Sequence, residues 1–224
     1  MKQIERDIIE KIKADEVFHA YLEQADKAMA ALGYTEHGFR HAELVAAISA
    51  NVMRRLSFPE RMAQVAGVAG YLHDIGNSIS RSFHGVSGAL LVKVRLEEND
   101  FTPSEIVMIM SAIGNHEEEY GWSTSDVSAA VILADKSDVH RSRVANPDIA
   151  DFDIHDRVNY AAKRSFLRVD AESGLITLEI DIDTKISQVM EYFEIFLSRM
   201  VMCRRAAEFL DSKFSLMING TRLL

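Results

Sequence analysis

The sequence predicts an all-α fold, a helical bundle that carries one short β-hairpin near residues 165–181. Three observations lead to this prediction. Apolar residues recur at steps of three and four through most of the 224-residue chain, which is typical of amphipathic helices. The chain has only three prolines, widely spaced, so long helices are permitted. One window alternates apolar and polar residues, as a half-buried hairpin does.

Six helices are expected before that window, each defined by an apolar stripe. Gly33 is a natural stop for the first, and Pro59 lies in the first turn of the third, where a missing N–H is tolerated. The expected spans are 17–32, 39–56, 59–76, 86–96, 103–113 and 125–139.

The hairpin is predicted from residues 165–170 and 175–181, which flank a turn composed of Ala, Glu, Ser and Gly. A last long helix is expected from residue 185 to about 214. No internal repeat and no long linker is found, so we expect a single domain over residues 1–224, with the hairpin and the long helix at 165–215.

Composition narrows the function classes. The net charge of −9 disfavours binding along a nucleic-acid backbone, which needs a basic surface, although a metal site could still bind a small phosphorylated ligand. No run of 18 apolar residues and no secretory signal is found, so no membrane association is expected. The single cysteine, Cys203, suits a reducing cytosol, and we expect a cytoplasmic protein.

Several histidines and aspartates lie at positions where apolar residues are expected. His73 continues the apolar stripe of its helix and is followed by Asp74, while His41 lies on the stripe of another helix. Asp135 follows the apolar run 129–134. A buried carboxylate is costly unless it is paired or binds a cation. The second His-Asp pair, at 155–156, lacks such a context; it is expected from chance, with its histidine at the surface.

Two further histidines mark the ends of helical patterns. His84 begins one and His116 ends another, and His37 is near enough to His41 in sequence to line the mouth of a site. Imidazoles and carboxylates that converge from separate helices are what a metal site in a helical bundle requires. Together these positions favour a metal site over isolated structural roles.

In this order, His41, the His73-Asp74 dipeptide and Asp135 resemble the HD-domain superfamily of metal-dependent phosphohydrolases, over about residues 35–140. His84 and His116 stand where the two-metal members have two more histidines. The resemblance implies hydrolysis of a phosphate ester by metal-activated hydroxide, with Asp74 bridging two divalent ions. His and Asp ligands suit Fe, Mn, Co or Zn. The implied ligands are His41, His73, Asp74, His84, His116 and Asp135.

The resemblance further implies a small phosphorylated substrate, for which we expect a nucleotide. Lys136, the neighbour of ligand Asp135, is the first candidate to assist catalysis and bind the phosphate; Arg81, Arg141 and Arg143 are further candidates. The Gly-Tyr-Pro signature of cyclic-di-GMP phosphodiesterases is not found at 117–122, nor are the paired acids of guanosine-tetraphosphate hydrolases at 76–78. Neither substrate is therefore implied.

Two alternatives stay open. An HD-fold di-iron oxygenase uses the same ligand set, and oxygen uptake measured against phosphate release would separate it from a hydrolase. A non-catalytic sensing bundle could keep a metal for stability, although an intact ligand set argues against it. The oligomeric state is also open, with a homodimer as one possibility.

Overall fold

A computed structural model of the chain describes residues 7–144 and 152–223, so Pro147 lies outside the described residues. Most of the described chain is helical. Its α-helices are α1 (Asp7–Lys13), α2 (Glu16–Ala31), α3 (Phe39–Arg55), α4 (Glu60–Leu72), α5 (His84–Glu97), α6 (Pro103–Gly114), α7 (Asp126–Lys136), α8 (Ile154–Ala161) and α9 (Val189–Phe209). Two short 3₁₀ turns cover Ile75–Ser78 and Arg141–Arg143.

The six helices predicted before the hairpin are present as α2 to α7. The third of them ends at Leu72 rather than near residue 76, because the chain there turns into the 3₁₀ segment. Helices α1 and α8 were not predicted. Both are short, and α8 follows a segment that gave no periodic signal.

Helix α7 lies at the centre of the bundle, packed against α3, α4, α6 and α9. Residues 127–136 are all buried, which explains the apolar run before Asp135. Helix α4 is also buried along nearly its whole length. A helix that is apolar all round belongs in a core, so these two helices form the frame on which the site is built.

Two of the helices that reach the site have their starts fixed by side-chain caps. At α6, the Thr102 hydroxyl accepts from the Glu105 backbone N–H and the Glu105 carboxylate accepts from the Thr102 N–H, which forms a capping box. At α7, the Ser125 hydroxyl accepts from the Ser128 N–H. These caps fix the starts of the two helices whose C-terminal ends carry His116 and Asp135.

The hairpin prediction is confirmed, but the hairpin is part of a larger sheet. Strands β1 (Ala162–Asp170) and β2 (Leu175–Ile182) are antiparallel, β2 pairs in parallel with β3 (Lys213–Ile218), and β3 pairs antiparallel with β4 (Thr221–Arg222). Helix α9 makes the crossover that a parallel pair needs. The expected all-α class is therefore correct only in part: the fold is mostly helical and has a four-stranded sheet in the order β1-β2-β3-β4.

The expected helix from 185 to about 214 is wrong at its C-terminal end. Helix α9 stops at Phe209, Asp211 has a φ of 53°, and the chain then enters β3. Phe214, Leu216 and Ile218 are buried in the sheet. Their burial depends on pairing with β2, more than thirty residues away, which local periodicity does not show. Within the described part of the chain, no helix is both long enough and apolar enough to cross a membrane.

Candidate metal centre

The six positions that the resemblance implied as ligands meet at one place, where five helix ends converge. His41 lies in the first turn of α3, His84 begins α5, and Asp135 lies in the last turn of α7. His73 and Asp74 directly follow α4, and His116 lies two residues beyond α6. All six residues are buried, none more than 8% exposed.

Two glycines let these helix ends approach each other. A Cβ on Gly76 would lie 1.9 Å from the His84 carbonyl oxygen, so the turn after Asp74 can contact the start of α5 only without a side chain. A Cβ on Gly85 would lie 2.8 Å from the Ile113 carbonyl oxygen. The close approach of α5 to its neighbours therefore depends on Gly76 and Gly85.

The first group of donor atoms comes from α3, the end of α4 and α7. The Nε2 atoms of His41 and His73 lie 3.2 Å apart. Asp74 Oδ2 lies 3.6 Å from His41 Nε2 and 3.3 Å from His73 Nε2. Asp135 Oδ1 lies 3.4 Å from His41 Nε2 and 3.7 Å from His73 Nε2. Two imidazoles and two carboxylates thus surround one point.

The second group comes from the start of α5 and from the residues that follow the C-terminal end of α6. The Nε2 atoms of His84 and His116 lie 3.0 Å apart. Asp74 Oδ1 lies 3.3 Å from His84 Nε2 and 3.6 Å from His116 Nε2. Each oxygen of Asp74 therefore faces a different group, and Asp74 is the residue that the two groups share.

The other ring nitrogen of each histidine is held by an acceptor. The Nδ1 contacts are His41 to Asp138 Oδ2 at 2.7 Å, His73 to the Gly70 carbonyl at 2.8 Å, His84 to the Arg81 carbonyl at 3.0 Å, and His116 to the Ile113 carbonyl at 2.6 Å. A carbonyl oxygen can only accept, so Nδ1 carries the hydrogen and Nε2 of the neutral ring presents a lone pair. Metal-ligating histidines are typically oriented in this way.

This donor set fits a divalent cation. Facing Nε2 lone pairs at 3.0 and 3.2 Å repel one another unless a proton or a metal ion lies between them. Burial alone would lower the pKa of His73, but Asp74 and Asp135 outweigh it and raise that pKa to about 10. Burial, together with the charges of His84 and His73, lowers the pKa of His116 to about 4, so its ring stays neutral. The centre therefore attracts positive charge, either a proton on His73 or a metal ion in its place, and His116 offers a neutral imidazole to bind it.

Asp138 and Arg40 form a second layer that the sequence did not reveal. Asp138 accepts from His41 Nδ1 and, at 2.9 Å, from Arg40 Nη2; Arg40 also pairs with Glu36. Burial would raise the pKa of Asp138, but Arg143 and His41 hold it well below its ordinary value. The apolar pattern of the sequence assigned no role to Asp138. Its position three residues after Asp135, on the same face of the chain, was the available signal.

The four cations predicted to contact substrate lie in different surroundings. Lys136 is buried, with Nζ 2.6 Å from Asp135 Oδ2, so it forms an ion pair with its neighbour in sequence. Arg81 Nη1 lies 3.4 Å from His84 Nε2, beside the second group. Arg143 is buried and donates to backbone carbonyls. Arg141 lies over the Tyr160 ring and, within the described residues, does not line the cavity.

Both groups border a cavity of about 710 Å³, within the size range of small-molecule sites. Tyr34, Phe83 and Tyr120 are exposed at its mouth, and the Phe83 and Tyr120 rings stack with centroids 5.3 Å apart. His37, which is close to His41 in sequence, also lines it. Residues that the sequence did not connect with the site also line it: Asp153, His155, Asp156, Asn159 and Arg199.

His155 is exposed, as expected of a surface residue, and its place on the cavity wall is the part that the sequence did not predict. No local pattern could have shown this. Helix α8, which carries His155, packs against α9 and against the 3₁₀ turn after α7, and this tertiary packing places it there.

The sequence is similar to another protein and matches the model of a protein family. The uncharacterized protein MJ1020 of Methanocaldococcus jannaschii is 28% identical over 173 residues, which cover 66% of this chain and 63% of that protein. The chain thus spans less than two thirds of that relative's length. The model of the HD domain family matches residues 38–158, which include all six converging positions. More than half of the chain is matched, and the protein belongs to the HD domain family.

Proposed function

We propose that the protein is a metal-dependent phosphohydrolase that cleaves a phosphate ester of a small phosphorylated metabolite, with a nucleotide as the expected substrate. One observation carries the proposal. The two carboxylate oxygens of Asp74 face two adjoining groups of buried donors, one with His41, His73 and Asp135, the other with His84 and His116. This is the arrangement that a bridging ligand of two ions requires.

The six residues would hold two divalent ions, with Fe, Mn, Co or Zn as candidates from the donor chemistry. When bound, such ions supply a hydroxide at neutral pH and neutralise the charge of a phosphoryl group. The chain's own residues prepare the site. Asn77 Nδ2 donates to Asp74 Oδ1 at 3.0 Å and holds that carboxylate between the two groups. Glu117 accepts from the Gly85 N–H and fixes the start of α5.

Lys136 is proposed to balance charge at Asp135 and to assist phosphate binding. The Lys136 side chain is 7% exposed, and its Nζ lies 3.8 Å from Glu118 Oε1. A cation beside a ligating carboxylate reduces the net negative charge that an anionic substrate meets.

The experiment is metal analysis combined with phosphate release. Purified protein is loaded with each candidate metal and assayed against a panel of phosphate esters. Asp74→Ala should lose both ions and the activity while it keeps most of its helical circular dichroism. Asp181→Ala, at a half-exposed position of β2, is the matched control. An Asp74→Ala variant that keeps two ions would remove Asp74 as the bridge.

Two further outcomes address the alternatives. If His84→Ala and His116→Ala bind metal and turn over like wild type, the site uses one ion held by the first group. If iron-loaded protein takes up oxygen with a substrate and releases no phosphate from any ester, the oxygenase alternative replaces the hydrolase. The cytoplasmic location, the single domain over residues 1–224 and the homodimer stay predictions.

A further inference from the structure

The walls of the cavity carry no excess of positive charge. Apart from Asp74 and Asp135, the described residues that line it include four basic and five acidic side chains. The basic ones are Arg81, Lys136, Arg143 and Arg199; the acidic ones are Glu117, Glu118, Glu119, Asp153 and Asp156. A site for a polyphosphate chain would need a surplus of cations along its walls, and this cavity does not supply one.

Three of these four cations already pair with a carboxylate or donate hydrogen bonds to backbone carbonyls. Lys136 Nζ lies 2.6 Å from Asp135 Oδ2, and Arg199 Nε donates to Glu118 Oε1 at 2.6 Å. Arg143 is buried and donates to the carbonyl oxygens of Asp138 and Glu36. A substrate phosphate would have to displace a carboxylate or a backbone acceptor to use any of these groups.

Arg81 is different. Its Nη1 contacts an amide oxygen and an imidazole nitrogen, Asn77 Oδ1 at 3.3 Å and His84 Nε2 at 3.4 Å, and its guanidinium lies 5.2 Å from the centroid of the Tyr34 ring. No carboxylate of the described chain lies within 4.0 Å of it, whereas the other three cavity cations each have one. Arg81 is thus a partly buried cation beside the second donor group, and no carboxylate of the described residues forms an ion pair with it.

The charges then match one phosphoryl group. If two divalent ions were bound, Asp74, Asp135 and a metal-activated hydroxide would offset all but about one of their positive charges, and Arg81 would raise this to about two. A phosphate monoester carries a charge close to −2 at neutral pH, as phosphorylated side chains do. A nucleoside triphosphate adds two further charged phosphoryl groups, which this cavity would leave without cations.

We infer that the substrate carries a single phosphoryl group, bound by Arg81 beside the second donor group, so that the enzyme is a phosphomonoesterase rather than a di- or triphosphohydrolase. This inference rests on the proposed function. It assigns Arg81 to substrate binding and the acidic walls to the exclusion of longer phosphate chains.

The experiment compares matched substrates on the metal-loaded protein. The 5′-mono-, di- and triphosphates of each common ribonucleoside and deoxyribonucleoside are assayed at equal free metal concentration, with p-nitrophenyl phosphate and sugar phosphates as other monoesters. We expect the monoester to exceed the triphosphate of the same nucleoside at least tenfold in kcat/KM. Preferred cleavage of a di- or triphosphate would overturn the inference and leave the phosphohydrolase proposal standing. If none of these compounds releases phosphate or pyrophosphate, both the inference and the phosphohydrolase proposal are overturned.

Arg81 is tested with Arg81→Gln, and Arg81→Lys keeps the charge. Arg204→Gln, at an exposed position of α9, makes the same charge change away from the cavity. Arg81→Gln should raise KM for the monoester at least tenfold, with a smaller change in kcat and full metal content, and Arg81→Lys should recover part of the loss. Titration calorimetry with inorganic phosphate should show binding at least tenfold weaker in Arg81→Gln and unchanged in Arg204→Gln. Equal phosphate affinity in wild type and Arg81→Gln would refute the role of Arg81.

Discussion

Asp138 is a buried carboxylate that contacts His41, one of the proposed metal ligands, on the side away from the other donors. Its carboxylate accepts from His41 Nδ1 at 2.7 Å and from Arg40 Nη2 at 2.9 Å, and its side chain is only 1% exposed. Asp138→Asn keeps the size and one acceptor oxygen but removes the charge that fixes the His41 ring and strengthens it as a donor. Loss of such a partner typically lowers metal affinity by about 10- to 100-fold, which is about 1.4–2.8 kcal/mol.

The assay is a competition titration with a chromogenic chelator, on protein first shown to be folded by circular dichroism. Asp181→Asn is the control, since it removes the same charge at a half-exposed position of β2. We expect weaker binding of one ion, the one held by His41, and an unchanged second ion. An Asp138→Asn variant that binds both ions within threefold of wild type would refute the argument that Asp138 supports His41 as a ligand.

Three other changes test separate parts of the structure. Lys136→Ala should lower kcat/KM at least tenfold, about 1.4 kcal/mol, with metal content retained; unchanged kinetics on the best substrate would remove its role. Gly76→Ala should reduce the free energy of unfolding by about 1–3 kcal/mol, since its Cβ would overlap the first carbonyl of α5, while Gly114→Ala, which meets only ordinary contacts, should be far milder in urea denaturation. The hydrogen bond from Arg61 lowers the pKa of Glu105 to about 2 against opposing burial, so this carboxylate stabilises the folded state above about pH 4.5 and loses that effect as the pH falls toward 2. Glu105→Gln, which can still complete the capping box, should therefore cost about 1 kcal/mol at pH 7, a figure discounted for solvent screening, and progressively less toward pH 2; a cost that does not shrink with falling pH would contradict the assignment.

The sequence was most informative where local chemistry and local periodicity carry the information. His73 and Asp135 stand out because a histidine or aspartate on an apolar stripe has a high cost of burial, and the structure places both at the convergence of helix ends. The six helices before the hairpin follow from the 3.6-residue period alone. The turn at Gly174, which has a φ of 61°, likewise follows from its residue types.

What the sequence could not provide depends on distant partners. Strand β3 is buried because it pairs with β2 across the whole of α9, and His155 lines the cavity because α8 packs on α9. The direction of Lys136 also needed the structure. Consecutive helical residues diverge by about 100°, so its contact with Asp135 depends on the reach of the lysine side chain and on Glu118 beside it.

The central claim is that Asp74 bridges two ions, and anomalous diffraction from metal-loaded crystals tests it most directly. We expect two anomalous peaks about 3.5–4 Å apart, one bound by Asp74 Oδ2 with His41, His73 and Asp135, the other by Asp74 Oδ1 with His84 and His116. A single peak bound by both oxygens of Asp74, with His84 and His116 not coordinated under saturating metal, would contradict the two-ion centre.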